Sequence, residues 1–167
     1  MTHRLICRVG MRRCRRFLNP VNVYFLPEYI RLFKKDGTGA ARFFVYQDGV
    51  QVWGNAVLVR AATDAENAPQ DVETAYGYGG PISSSDDSAF LADAHAAYNT
   101  WLGQSGVMVE FMRLHPLLQN GKWCSPDMTV DAVSKTLSIG LDAPPVFKGR
   151  KQQLQTCVDS GRRGAGV

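Results

Sequence analysis

Phe43-Phe44-Val45-Tyr46-Gln47-Asp48-Gly49-Val50-Gln51-Val52-Trp53 is the stretch on which the reading of the fold turns. Two runs rich in β-branched and aromatic residues meet at Asp48-Gly49, a favoured two-residue hairpin turn. The predicted strands are Phe43 to Tyr46 and Val50 to Arg60, within the strongest β signal of the chain, residues 42–60. Upstream, Leu26 to Lys35 predicts a short helix. Pro27 suits a first helical position, and Tyr29, Ile30, Leu32 and Phe33 recur at helical spacing. Asp36-Gly37-Thr38-Gly39 ends it.

Downstream, residues 61–71 read as a loop and Val72 to Tyr78 as a third strand. That strand runs into Tyr76-Gly77-Tyr78-Gly79-Gly80-Pro81, followed by residues 83–87, dense in helix-capping types. Ser88 to Gln104 is the best helix, with an apolar stripe of Phe90, Leu91, Ala94, Ala97, Tyr98, Trp101 and Leu102. Trp53 and Trp101 read as core, and His95 as a partly exposed helix residue. Gly103 or Gly106 ends the helix. Val107 to Leu114 predicts a strand, with Val107, Val109 and Phe111 alternating against Met108, Glu110 and Met112. Val133 to Leu141 predicts another, and Gly149 to Ser160 a last helix. Strands mixed with helices indicate an α+β domain with a mixed sheet.

The chain has 167 residues, 45% apolar and 20% charged, enough for a real core and too hydrophobic for full disorder. No run approaches the roughly 18 apolar residues of a membrane-spanning helix. The formal charge of +4 is uneven. Arg4, Arg8, Arg12, Arg13, Arg15 and Arg16 crowd the first 20 residues, and the remaining chain is slightly acidic. This divides the chain into a basic arm (1–20), a body (21–145) and a basic tail (146–167). The arm reads as a solvated terminus, or as an amphipathic helix with four arginines on one face. An acidic body argues against sequence-independent nucleic-acid binding outside the arm. Cys7, Cys14, Cys124 and Cys157 form no C-x-x-C pair, and His3, His95 and His115 are scattered. No metal site is expected, and a cytoplasmic chain with reduced thiols is the expectation.

Two segments could carry chemistry. The first is Tyr76 to Pro81 with the helix beyond it. Glycines permit close backbone approach, and a helix N-terminus suits a phosphate or carboxylate. The same composition also fits a plain strand-to-helix turn. The second is Glu110 to Asn120, which gathers an acid, Arg113, His115 and Asn120. A neutral His can accept a proton from an attacking amine, and an Arg can hold a carboxylate or phosphate through two parallel bonds. In an extended strand Arg113 and His115 share a face, opposite Glu110. The alternative is a His satisfied by backbone near a proline turn. There is no G-x-S-x-G elbow, and Cys124 lacks an activating context.

In order along the chain, Val23-Tyr24-Phe25-Leu26-Pro27-Glu28-Tyr29, Phe44-Val45-Tyr46-Gln47-Asp48-Gly49, the Tyr76 to Pro81 block and Arg113-Leu114-His115-Pro116-Leu117-Leu118-Gln119-Asn120 resemble the N-terminal half of GNAT-superfamily acyltransferases related to the Fem peptidyltransferases. The resemblance spans roughly residues 21–142. It implies a mixed, curved sheet flanked by helices. It implies transfer of an acyl or aminoacyl group to an amine, with acyl-coenzyme A or aminoacyl-tRNA as donor. The acceptor would be a small-molecule, glycan or peptidoglycan-precursor amine, as in cell-wall or polysaccharide biosynthesis. His115, with Glu110, would be catalytic. Tyr76, Gly77, Tyr78, Gly79, Gly80, Arg113 and Asn120 would bind substrate. Relatives carry two such domains in tandem, so a homodimer or a separate second domain is an expected partner, and stable membrane insertion is not. The alternative function is a non-catalytic half that binds acceptor or a partner chain.

Overall fold

The computed structural model describes residues 22–33, 39–63, 65 and 68–136. The chain forms two units, residues 1–131 and 132–167. Within the second unit, residues 132–136 are exposed and carry no regular element, so the first part of the expected strand from Val133 is not one. The rest of that strand, the last helix and the basic arm lie outside the described residues.

The first unit is mixed α+β. Its elements in chain order are α1 (Pro27–Leu32), β1 (Gly39–Asp48), β2 (Gln51–Ala61), β3 (Gln70–Glu73), β4 (Ile82–Ser83), α2 (Ser88–Gln104) and β5 (Val107–Phe111). The hairpin is as the sequence indicates, with one difference of register. Asp48 pairs with Gln51, so the turn residues are Gly49 and Val50. Gly49 takes φ +53, the first central position of a type II′ turn. The open sheet runs β1-β2-β3-β5, and β4 pairs with β2 further along. Neighbours are antiparallel except β3 and β5, which are parallel and joined through α2.

α2 begins and ends as the sequence predicts. The Asp87 carboxylate accepts from the Phe90 N–H at 2.8 Å, and Gly106 follows the C-terminus at φ +69. Its buried side packs on one face of the sheet. Phe44, Tyr46, Trp53, Val57, Val59 and Val72 meet Phe90, Ala94, Tyr98 and Trp101 there in one aromatic-rich core. His95 is not partly exposed as expected. It is buried, and its Nε2 lies 3.0 Å from the Trp123 carbonyl, which the Trp53 indole also reaches at 3.0 Å. Among the described residues, the opposite face receives only the short α1. Ile30 packs on Ala56, Leu58 and Ala75, with Tyr29 and Phe33 partly buried beside them.

The alternation expected along β5 is broken by an irregularity. Gln70 pairs with Val107, but Asp71 pairs with Val109, so Met108 is an extra residue. Val107 therefore packs on the α2 side with the core. Val109 and Phe111 lie on the opposite face, 63% and 61% exposed.

Candidate functional site

The chain leaves β3 at Glu73 and loops out before resuming beside the extension of β5. Thr74 N–H bonds the Phe111 carbonyl at 3.2 Å, and Gly79 N–H bonds the Arg113 carbonyl at 2.8 Å. Residues 75–78 form the excursion between these two anchors. Tyr78 turns inward, its ring 5.4 Å from that of Tyr24 and 5.5 Å from His115. Tyr76 points outward, 74% exposed, and its carbonyl accepts from the Tyr29 hydroxyl at 2.7 Å.

The glycines of this segment are explained by packing within the protein. Gly77 has φ +97, and a Cβ there would lie 2.4 Å from the Tyr24 ring. A Cβ on Gly79 would meet Thr74 at 2.8 Å, and one on Gly80 would meet Leu114 at 2.6 Å. Contacts below 3 Å exclude a side chain without rearrangement. The N-terminus of α2 lies beyond β4 and is capped by the carboxylate of Asp87, so its first N–H groups already face an anion.

Asn120 sits at the centre of the clamp and is fully buried. Its amide nitrogen donates to the Gly79 and Pro81 carbonyls at 2.8 and 3.0 Å, and its oxygen accepts from the His115 N–H at 2.9 Å. Both amide hydrogens of this side chain are used by backbone. His115 is 6% exposed, beneath Tyr24, Phe25 and Tyr78. Its Nε2 lies 2.7 Å from the Asn22 amide nitrogen, and its Nδ1 lies 3.3 Å from the Leu117 N–H. Burial lowers its pKa from the ordinary 6.5. The Leu117 N–H donates to Nδ1, which leaves Nε2 to carry the ring proton toward Asn22. A neutral imidazole is the form a base requires, but this one is enclosed.

Glu110 lies on the other side of the sheet, as strand alternation requires. The Tyr98 hydroxyl donates to its Oε1 at 2.5 Å, and the buried Asn55 amide donates to the Tyr98 oxygen at 3.0 Å. Burial raises the Glu110 pKa, partly offset by the Tyr98 bond, and burial with the adjacent carboxylate raises that of Tyr98. Glu110 and His115 therefore do not share a site. Cys124 is buried, and desolvation pushes its thiol up to about 11, away from nucleophilic character.

Arg113 and Tyr76 come together elsewhere. With Phe33, Leu58, Glu73 and Phe111 they line an open groove of about 330 Å³ on the α1 face. The groove lies on the sheet face at the carboxyl ends of the parallel pair β3 and β5. Phe33 and Tyr76 set an aromatic wall, their centroids 6.1 Å apart. Arg60 is neutralised by Glu73. Arg113 is exposed, and its guanidinium has no partner among the described residues. The groove can thus hold an apolar or planar group on one side and an anion on the other.

Of the residues singled out from sequence, Tyr76 and Arg113 line the groove. Tyr78, Gly79, Gly80, His115 and Asn120 form the clamp beside it, Gly77 fixes the excursion, and Glu110 is remote. Phe33, Arg60, Glu73 and Phe111 were not singled out. Leu58, Arg60, Glu73 and Phe111 come onto one face only through the register of β2, β3 and β5, which no local motif encodes. No group of His, Cys, Asp and Glu suited to a metal occurs among the described residues, nor a helix long and apolar enough to cross a membrane. Comparison of the chain with family models, with curated proteins and with solved structures gives no match.

Proposed function

We propose that this domain is the binding half of an acyl-transfer system of the GNAT or Fem-like kind. It holds an amine acceptor by an anionic group in the groove. The free guanidinium of Arg113 beside the aromatic wall is the observation that carries this reading. The mixed sheet with helices on its two faces agrees with the architecture that the sequence resemblance implies. The enclosure of His115 and the distance of Glu110 from it favour a binding role over self-contained catalysis. In such a system the acceptor nitrogen attacks a thioester or ester carbonyl, and the thiol or alcohol leaves. A base outside this clamp takes the ammonium proton. Acyl-coenzyme A or aminoacyl-tRNA would serve as donor, with the groups that handle it supplied by a partner domain.

Titration calorimetry with a short lysine peptide bearing a free carboxylate tests the reading. Saturable binding is expected, weakened at least about tenfold by Arg113→Ala, since a hydrogen bond to a charged group contributes roughly 1.5–3 kcal/mol. Wild-type chain mixed with acetyl-coenzyme A and the peptide is expected to release no thiol. Absence of binding would refute the acceptor role. Thiol release abolished by His115→Gln, with the fold retained, would restore a catalytic one.

A further inference from the structure

β5 is an open margin of the sheet. Among the described residues Val107–Phe111 pairs only with β3. Met108, Val109 and Phe111 are 76, 63 and 61% exposed. A free strand edge is a template for another strand, and natural sequences blunt such edges with Lys, Pro or a bulge. Here the irregularity at Met108 protects only the first half. Residues 109–111 remain strand with no Lys or Pro, and the inward-turned carboxylate of Glu110 is held by Tyr98. The Phe111 carbonyl faces β3. Backbone polar groups alternate in direction along a strand, so those of Glu110 and Met112 face outward.

We infer that a second copy of the chain docks antiparallel along this edge, with Phe111 on the two-fold axis. Phe111 then faces its own counterpart. Glu110 exchanges backbone hydrogen bonds with Met112 of the partner subunit, and Arg113 lies opposite Val109 of the partner subunit. The two registers shifted toward the start of β5 are worse. Centring on Glu110 sets two carboxyl groups directly opposite each other, an unfavourable cross-strand pair. Centring on Val109 forces the extra residue Met108 into both ladders.

Charge also fits this register. Asp71 is exposed and pairs with Val109 across β3 and β5, on the face that carries Phe111 and Arg113. In the dimer, Arg113 lies two strand spacings, roughly 10 Å between backbones, from Asp71 of the partner subunit. An arginine side chain spans most of that gap, and the two-fold repeats the pair. A self-complementary patch of this kind closes as a dimer, and the β5 edge is used up in it. The inference needs no ligand and does not rest on the acceptor reading.

Light scattering of the full chain after size exclusion is expected to give about twice 18.4 kDa. Val109→Lys should return it to monomer with an unchanged circular dichroism spectrum, because residue 109 is exposed in the single chain. Cα atoms at a non-hydrogen-bonded antiparallel pair are ~4.5 Å apart, within the range a disulfide spans. Phe111→Cys, with Cys7, Cys14 and Cys157 replaced by serine, should therefore crosslink on mild oxidation, and Val109→Cys in the same background should not. A monomer at high concentration would overturn the inference, the edge being blocked by solvent or by another part of the chain. So would a dimer indifferent to Val109→Lys, or crosslinking at 109 in place of 111.

Discussion

Asn120 shows how much one side chain can organise. It joins the glycine-rich segment to the strand extension through three backbone groups, none of which can reach water. Asn120→Ala leaves two carbonyls and one N–H unpaired, a cost of about 3 kcal/mol or more at roughly 1–3 for each group. Thermal unfolding should show a fall of roughly 10 °C. The sequence marked Asn120 as a polar residue near His115 but not as a clamp, because its partners Gly79 and Pro81 lie some 40 positions away. His115 makes the second residue-scale prediction. Its folded pKa is lowered, while the unfolded chain binds a proton near 6.5. Below that value the unfolded state takes up a proton that the folded state resists, so stability falls with acidification from pH 6.5 and is fully present above it. His115→Gln should flatten this part of the stability–pH profile. Glu110 has the opposite sign: its raised pKa favours the fold at lower pH and is a liability as pH rises through the folded value. The difference between the wild-type and His115→Gln profiles isolates the histidine.

At the scale of elements, the sequence was most legible where the signals were local. The limits of α2 follow from a cap, an unbroken apolar stripe and a terminal glycine, all within the helix and its flanks. Asp87→Ala removes the cap on Phe90 and should cost about 1 kcal/mol, read by urea denaturation with an unchanged slope. Within the same helix His95 was misread. An imidazole at a stripe-flanking position looks solvated until Trp123 arrives from the chain's later turn to accept its bond. The 3-10 turn Asn120–Trp123 is itself tied down by Asp86, which accepts from the Trp123 indole at 2.6 Å and from Lys122 at 2.9 Å. Those bonds hold the Asp86 carboxyl below its ordinary range. β5 failed in a different way. Alternation placed Val107 with Val109, and only the register against β3 reveals the extra residue between them. The candidate site suffered most from this dependence. Its polar residues were visible, but the face each one meets is set by strand order.

For the whole molecule, the two faces of the sheet are unequal. Among the described residues, one is closed by a 17-residue helix and its aromatic core, the other by a 6-residue helix that leaves the groove open. The proposed acceptor groove lies on the thinly covered side, away from the aromatic core. The parallel pairing of β3 with β5 also orders events in time. The β1–β2 hairpin needs only a two-residue turn, but β5 reaches β3 across the whole intervening α2 segment, and Asn120 lies further along still. During synthesis, the glycine-rich segment emerges long before the residue that locks it. The lock belongs to the end of folding, so Asn120→Ala should speed unfolding and leave the refolding rate nearly unchanged. A growing chain halted between Pro81 and Asn120 would hold a finished hairpin and an unlatched loop, a state open to proteases that the completed chain resists.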